Sequence, residues 1–299
     1  MNKVVAIVVT YNRIELLKEN IEALIHQTHE CDVLIIDNAS TDGTQEMVET
    51  YVSTNSNVIY QNTGANLGGA GGFHYGIKLA TEKGYEYLWI KDDDCIPTDT
   101  ALEELLNAGK TLNENFGFLC SKVLWKDGSI CAMNIPRKTV FRGMDSFEED
   151  LVQVEMASFV SLFIKASVVK ELGLPIKEFF IWTDDWEYTR RISLKYKCYW
   201  VNKSIVIHKS NSNIGANIYS DSYERLNRYN YLYRNDVYLY RREGLKGFGY
   251  EVIRLLYHSL KVLINAKDHK WERIKTIFKA TKTGFSFNPD IEYVKEESE

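Results

Sequence analysis

Apolar runs and helical repeats alternate along the first third of this 299-residue chain. Four short runs rich in β-branched residues predict strands, and three segments with apolar residues at helical spacing predict helices. The predicted strands cover residues 4–10, 32–37, 58–61 and 85–91. The predicted helices cover residues 15–27, 44–52 and 72–83. This alternation predicts an α/β fold with a mostly parallel central sheet flanked by helices.

The rest of the chain follows a different pattern. Residues 119–207 mix strand and short helix signals, and from Tyr223 onward the sequence is helical, aromatic and basic. Residues 225–282 contain 14 Lys and Arg against 5 Asp and Glu, although the whole chain has a net charge of -5. We therefore predict a domain over residues 1–215 and a helical C-terminal region over residues 216–299 that ends in an acidic tail. The basic region favours an anionic surface as partner.

Composition excludes several classes of protein. The five cysteines are odd in number and form no CxxC pair, which argues against a disulfide framework or structural zinc and favours a reducing compartment. The first apolar run lacks a cleavage site and no run of 18 apolar residues exists, so we expect neither a signal peptide nor a membrane span. No recognised nucleic-acid motif is present, and we expect no nucleic-acid partner.

Three consecutive carboxylates, Asp92, Asp93 and Asp94, follow the fourth predicted strand. Like charges this close raise one another's pKa, so either water solvates them on a turn or a cation lies among them. In an extended segment Asp92 and Asp94 point the same way and can share one Mg²⁺ with substrate phosphates, while Asp93 faces elsewhere. Polar residues 10–13 and 37–40 end two other strands, which predicts a ligand site at this edge of the sheet.

A glycine-rich segment precedes the third predicted helix. Glycine lets the backbone approach a ligand closely, and the helix that follows directs free N–H groups toward the segment. The segment matches neither a dinucleotide fingerprint nor a P-loop, so it is either a flexible turn or a site for phosphate or sugar oxygens. Its glycines are Gly64, Gly68, Gly69, Gly71 and Gly72.

Two adjacent acids, Asp184 and Asp185, lie between Trp182 and Trp186. Asp184 alone is explained as a helix N-cap, with Glu187 three residues later completing a capping box. The capping interpretation does not explain Asp185 or the two tryptophans. Because sugars stack on aromatic rings and bond to carboxylates, the segment predicts an acceptor site with a carboxylate as general base.

Two further features have both structural and functional interpretations. His208 ends a strand-like run and is either structural or a third metal ligand beside Asp92 and Asp94. Residues 251–264 and 271–282 have the pattern of helices in a membrane interface, or of helices packed on the body or in a homo-oligomer. In the second segment one face holds Trp271, Ile274, Ile277 and Phe278.

Together these motifs resemble family 2 glycosyltransferases of the GT-A fold. The resemblance covers about residues 3–208. It rests on VVTYNR, IIDNASTDGT, the Asn66/Gly68/Gly72/Gly76 segment, the Asp92–Asp94 triplet, WTDDWEY and His208. NLGGAGGF and the aromatic-flanked acids are most similar to UDP-galactofuranosyltransferases, and related rhamnosyltransferases share much of this pattern.

The resemblance implies a role for each matched position. Asp92, Asp94 and His208 would hold Mn²⁺ or Mg²⁺ against the diphosphate of a UDP-sugar. Asp185, with Asp184 beside it, would be the catalytic base. Acceptor contacts would come from Trp182, Trp186 and Glu187. Donor contacts would come from Thr10, Tyr11, Arg13, Asp37, Asn66, Gly68, Gly69, Gly71, Gly72, Asp92 and Asp93.

The activity implied is inverting sugar transfer to a glycan or lipid-linked glycan in bacterial surface polysaccharide synthesis. A cytoplasmic protein held peripherally at the inner face of the membrane would meet such an acceptor. One alternative is a rhamnosyltransferase that uses dTDP-rhamnose. Another, of a different class, is a non-catalytic scaffold that binds nucleotide at the membrane surface.

Overall fold

The structure, a computed structural model, describes residues 3–295, so the end of the acidic tail lies outside the described residues. Within this range the chain forms eleven strands and nine α-helices. The strands are β1 (Val4–Thr10), β2 (Asp32–Asp37), β3 (Val58–Asn62), β4 (Tyr87–Asp92), β5 (Cys95–Pro97), β6 (Phe118–Trp125), β7 (Arg137–Thr139), β8 (Arg142–Gly143), β9 (Leu151–Val154), β10 (Leu162–Lys165) and β11 (Cys198–His208). The helices are α1 (Ile14–Ile25), α2 (Thr44–Thr54), α3 (Gly68–Glu82), α4 (Ala101–Thr111), α5 (Ala166–Leu172), α6 (Asp184–Ser193), α7 (Tyr229–Arg241), α8 (Gly244–Asn265) and α9 (Lys270–Ser286).

One mixed sheet organises the body, with strand order β3-β2-β1-β4-β10-β6-β11-β5 and β9 added beside β11. Strands β1 to β4 pair in parallel, as predicted, and so do β6 and β11. Strand β10 runs antiparallel to both β4 and β6 and joins the two parallel parts. The carboxyl ends of β1, β2 and β4 therefore lie at the same edge of the sheet.

Both faces of the sheet are covered, which explains the unbroken apolar runs. In β1, Val5 and Ile7 enter one hydrophobic cluster, while Val4, Ala6 and Val8 enter another on the opposite face. Side chains alternate across a strand, so a strand buried on both sides is apolar on both faces over most of its length. This burial fixes where β1 and its neighbours end, and polar residues follow at those ends.

The C-terminal helices pack mainly on one another. Helix α7 contacts both α8 and α9, and a separate hydrophobic cluster joins them through Tyr229, Tyr233, Val262 and Ile277. The predicted face of α9 is wrong in detail, because Ile277 is buried and Trp271 and Phe278 are exposed. No helix of the described residues is both long and apolar enough to cross a bilayer.

Candidate active site

The ends of β1 and β4 meet through direct side-chain contacts. The Thr10 hydroxyl donates to Asp93 Oδ2 at 2.8 Å. Arg13 Nη1 lies 3.3 Å from Asp93 Oδ1 and 2.5 Å from Asp94 Oδ2. The Asn20 amide donates to the backbone oxygens of Asp92 and Asp93 at 2.9 and 3.0 Å. Arg13, which the resemblance assigns to the donor, therefore pairs with the aspartate triplet.

The triplet is not extended, so the predicted alternation of its side chains is wrong. Strand β4 ends at Asp92, and Asp93 and Asp94 form a turn before β5. Asp93 does not point away from the site, because Arg13 reaches it as well as Asp94. A tight turn brings two consecutive carboxylates toward one guanidinium, which an extended strand cannot do.

His208 lies beside Asp94 at the end of β11. Its Nε2 is 3.3 Å from Asp94 Oδ1, and its Nδ1 is 2.7 Å from the side-chain oxygen of Asn134. Asn134 thereby fixes the orientation of the imidazole, an indirect role that the sequence does not signal. The antiparallel pairing of β5 with β11 places His208 opposite Cys95, which brings residues far apart in sequence together.

Burial and mutual repulsion raise the pKa of two of the three carboxylates at the end of β4, Asp92 and Asp93. Burial, followed by the charge of Asp94, raises the pKa of Asp92 to about 6. Burial raises the pKa of Asp93 to about 7 despite the charge of Arg13. Burial also acts on Asp94, but the hydrogen bond and charge of His208 and the charge of Arg13 outweigh it and lower its pKa to about 2.

The acid pair at the start of α6 belongs to the same electrostatic cluster. Burial raises the pKa of Asp184 to about 7, and the charge of Asp92 adds to the shift. Burial, then the charges of Asp184 and Asp92, raise the pKa of Asp185 well above its ordinary value. The fold thus brings Asp184 and Asp185 within electrostatic reach of Asp92 on β4, which lies about 90 positions earlier in the chain.

The donor set suits a divalent cation. Asp94, Cys95 and His208 offer ligand atoms that all lie within 4.8 Å of one another, and Asp92 lies outside that set. Burial raises the pKa of the Cys95 thiol well above its ordinary value, and its Sγ donates to Asp94. Four carboxylates retain raised pKa values despite Arg13 and His208, so the cluster has a deficit of positive charge. A divalent cation held by Asp94 and His208, with Asp92 beside it, would correct that deficit.

The segment before α6 holds three closely spaced residues of unusual backbone geometry. Phe180, Trp182 and Thr183 have φ of 63°, 65° and 68°. Such conformations cost free energy in non-glycine residues and persist only where the surroundings impose them. Thr183 precedes the helix without a side-chain cap, so the predicted capping box of Asp184 and Glu187 is wrong.

Contacts from helix α7 impose this geometry. The Asn235 amide donates to the backbone oxygens of Phe179, Ile181 and Trp182 at 3.0, 3.2 and 2.9 Å. The Thr183 hydroxyl donates to Asp236 Oδ1 at 2.6 Å. Both α7 residues are buried. Asn235 and Asp236 therefore position Asp184 and Asp185, although nothing in the sequence links them to the site.

The predicted acceptor residues have structural partners. The Trp182 ring lies 5.1 Å from that of Tyr229. Arg137 stacks on the Trp186 ring at 3.9 Å. Both oxygens of Glu187 accept hydrogen bonds from Arg191, at 3.1 and 2.8 Å, and Glu187 is buried.

The glycine segment is mostly the first turn of α3, which begins at Gly68 and not at residue 72. A Cβ on Gly68 would lie 2.2 Å from the Phe180 backbone oxygen, one on Gly71 2.6 Å from Leu67 Cβ, and one on Gly72 2.5 Å from Val9 Cγ1. These glycines permit close packing of α3. A Cβ on Gly69 would meet nothing within 4 Å, so this glycine borders open space.

The remaining predicted donor residues surround the ends of β1, β2 and β3. Tyr11 is exposed. Asp37 is buried, and its two oxygens accept hydrogen bonds from the Tyr60 hydroxyl and the Ser40 backbone N–H. Asn66 accepts from the Gly68 N–H and so supports the start of α3.

Two solved structures share this architecture. The TM-score is 0.56 against Staphylococcus aureus TarS 1–349 in complex with UDP, at 17% identity, covering 96% of this chain and 72% of that one. It is also 0.56 against mannosyltransferase PcManGT from Pyrobaculum calidifontis in complex with GDP-Man and Mn²⁺, at 15% identity, covering 96% and 76%. The fold is therefore the GT-A glycosyltransferase fold.

Sequence comparison finds a domain family in the first part of the chain. Residues 5–117 match the family model for glycosyl transferase family 2, and the chain therefore carries a domain of that family. Galactofuranosyltransferase GlfT1 from Mycolicibacterium smegmatis is 30% identical over 201 residues, which cover 63% of this chain and 65% of the relative. The match thus spans less than two thirds of the length of that curated relative.

Proposed function

We propose that this protein is an inverting, divalent-metal-dependent glycosyltransferase that moves galactofuranose from UDP-galactofuranose to a hydroxyl group of a glycan or lipid-linked glycan. One observation carries the proposal. Asp92, Asp94 and His208 share a single electrostatic cluster with Asp184 and Asp185 at the carboxyl end of the sheet. The named galactofuranosyltransferase relatives support the choice of sugar, and the UDP complex of TarS supports the choice of nucleotide.

In this mechanism Asp185 accepts the proton of the acceptor hydroxyl. The acceptor oxygen then forms a bond to the anomeric carbon as the bond from that carbon to the diphosphate oxygen breaks, and the configuration inverts. When bound, Mn²⁺ or Mg²⁺ supplies positive charge that neutralises the departing diphosphate. Asp94, His208 and Asp92 would hold the cation, and Asn134 would keep the His208 Nε2 directed toward it.

Location and acceptor class follow from the same proposal. Lipid-linked glycans lie at a membrane surface, and we place this protein peripherally on the inner face of the cell membrane. A homo-oligomer is compatible with this function and is not needed for it.

Calorimetric titration tests donor and metal together. UDP, dTDP and GDP are titrated into the protein with Mn²⁺, with Mg²⁺ and with EDTA. We expect UDP to bind most tightly, and only when metal is present. Tighter binding of dTDP would instead favour a rhamnosyltransferase. Absence of nucleotide binding by folded protein would contradict the proposal.

A further inference from the structure

Helix α8 exposes its apolar face, which is the reverse of the usual arrangement for a helix at a protein surface. Of its 22 residues only Gly247, Glu251 and Val262 are buried. Two of its charged residues point inward: Arg254 pairs with Asp236 at 2.7 Å and with Glu251 at 2.9 Å. Most of its leucines and isoleucines point outward, and Leu245, Ile253 and Leu256 are 91%, 68% and 63% exposed.

Helix α9 continues the exposed apolar surface with aromatic residues. Trp271, Phe278 and Phe285 are all more than half exposed. They are seven residues apart, about two helical turns, and so form one stripe along the helix. Lys275, Lys279 and Lys282 lie exposed beside this stripe, and none of them has an ion-pair partner within the described part of the chain.

We propose that the outward faces of α8 and α9 dock on an anionic phospholipid bilayer. We call this surface the α8–α9 face and define it by Leu245, Ile253, Leu256 and Leu260 of α8 and by the aromatic stripe of α9. The inference rests on the proposed function for its location and adds the surface that makes the contact. Leucines enter the acyl boundary, aromatic rings lie at headgroup depth, and the lysines pair with lipid phosphates.

Charge favours a bilayer over a second copy of this chain. Within residues 244–286, Glu251 is buried against Arg254, and Asp268 pairs with Arg273. Glu272 is the one further acidic residue in this range, against three unpaired lysines beside the aromatic stripe. A twofold contact of this face with itself would bring these lysines toward one another. An anionic lipid surface pairs with all of them and covers the apolar area as well.

The charged inner side of α8 also ties the α8–α9 face to the candidate active site. Asp236 accepts from Thr183, the residue before Asp184, and pairs with Arg254 of α8. The docking surface and the acid pair are therefore connected by three side chains. This connection orients the acid pair in a defined way relative to the bilayer that would carry a lipid-linked acceptor.

Vesicle flotation tests the docking, with the full chain and without donor, metal or acceptor. The vesicles contain phosphatidylcholine alone or phosphatidylcholine mixed with phosphatidylglycerol. We expect binding to the mixed vesicles and at least about tenfold weaker binding to the neutral ones, since the lysines contribute only with anionic lipid. Because this readout needs no catalysis, its failure is separate from failure of the transferase assay.

Matched variants assign the contact. Leu256→Gln with Leu260→Gln is expected to weaken vesicle binding at least about tenfold, while Leu194→Gln, similarly exposed on another part of the body, leaves it unchanged. Changing Lys275, Lys279 and Lys282 to Gln is expected to weaken it about a hundredfold. The control changes Lys83, Lys110 and Lys170, also exposed, to Gln and removes the same charge.

Two results would overturn the proposal. One is equal flotation of the wild type and the leucine variant with mixed vesicles, in protein shown to be folded by circular dichroism. The other is a stable dimer in sedimentation velocity that the leucine variant dissociates, with no binding to either vesicle. The second result would assign the α8–α9 face to a second copy of the chain.

Discussion

The sheet body and the C-terminal helices use their apolar residues in opposite ways. All seven residues of β1 are buried, and the polar groups of the body collect at the strand ends. In α8 most apolar residues are exposed, and the charged Arg254 and Glu251 lie inward. A hydrophobic core stabilises the sheet body, and the charged groups of the body are concentrated at one edge of the sheet. The C-terminal helices are held partly by buried ion pairs and leave apolar surface for a partner.

The largest expected effect concerns the concentrated charge of the body. Asp94→Ala removes the carboxylate that contacts both Arg13 and His208. We expect sugar transfer to fall on the order of a hundredfold to a thousandfold, because the leaving diphosphate loses its positive counter-charge. A radiolabelled-donor transfer assay measures it, with circular dichroism confirming the fold. Transfer near the wild-type rate would remove Asp94 from the metal site.

Asp185→Asn distinguishes the base from the metal ligands. The amide is close in shape but cannot accept the acceptor proton, so we expect turnover to fall at least about a hundredfold. Nucleotide affinity in the presence of Mn²⁺ should stay within about threefold of the wild type, since only the acceptor side changes. Retained turnover would show that another group is the base.

The contact between the two regions can be broken at Asn235. Asn235→Ala removes the side-chain donor that Asn235 gives to three backbone oxygens at the strained segment. We expect transfer to fall about tenfold to a hundredfold through kcat, because a small displacement of the acid pair misaligns the base. Nucleotide binding to the β1–β4 edge should be unchanged. Loss of nucleotide binding together with transfer would show a general loss of fold, not a positioning role.

Adjacent glycines of α3 provide a stability comparison within the body. Gly68→Ala places a Cβ at 2.2 Å from a backbone oxygen at a residue with φ of 71°, and we expect it to lower the free energy of unfolding by about 3 kcal/mol. Gly69→Ala meets open space and should be neutral, or stabilise by up to about 1 kcal/mol. Urea unfolding of both variants measures the difference. Equal effects would contradict the packing role of Gly68.

The smallest effect concerns pH and the C-terminal helices. Burial, aided by the charge of Arg254, lowers the pKa of His258 to about 4, and its Nδ1 lies 2.9 Å from the Tyr233 hydroxyl. Between about pH 6.5 and pH 4 the unfolded chain therefore binds more protons at this residue than the folded one, and acid reduces stability. We expect His258→Gln to lose less stability than the wild type on going from about pH 7 to about pH 5 in urea unfolding. An identical loss in both would show that His258 titrates normally.

The sequence by itself determined the parallel half of the sheet and the residue types at its polar edge. Runs at residues 4–10 and 32–37 coincide with β1 and β2, because a strand buried on both faces is apolar along its interior positions. The aspartate triplet, His208 and the acid pair could be singled out because each stands where a strand or helix begins or ends.

Only the tertiary structure decided how these residues meet. The turn at Asp93 and Asp94 and the pairing of β5 with β11 set the geometry of the cluster. Asn134 and Asn235 act through hydrogen bonds to groups far along the chain, which leave no periodic signal in the sequence. The sequence also did not show which face of α8 packs inward. Periodicity reveals that a helix has two different faces, but it does not reveal which of them is buried. The buried pairs of Arg254 with Asp236 and Glu251 made that choice, since a charge is buried stably only against a partner that the fold supplies.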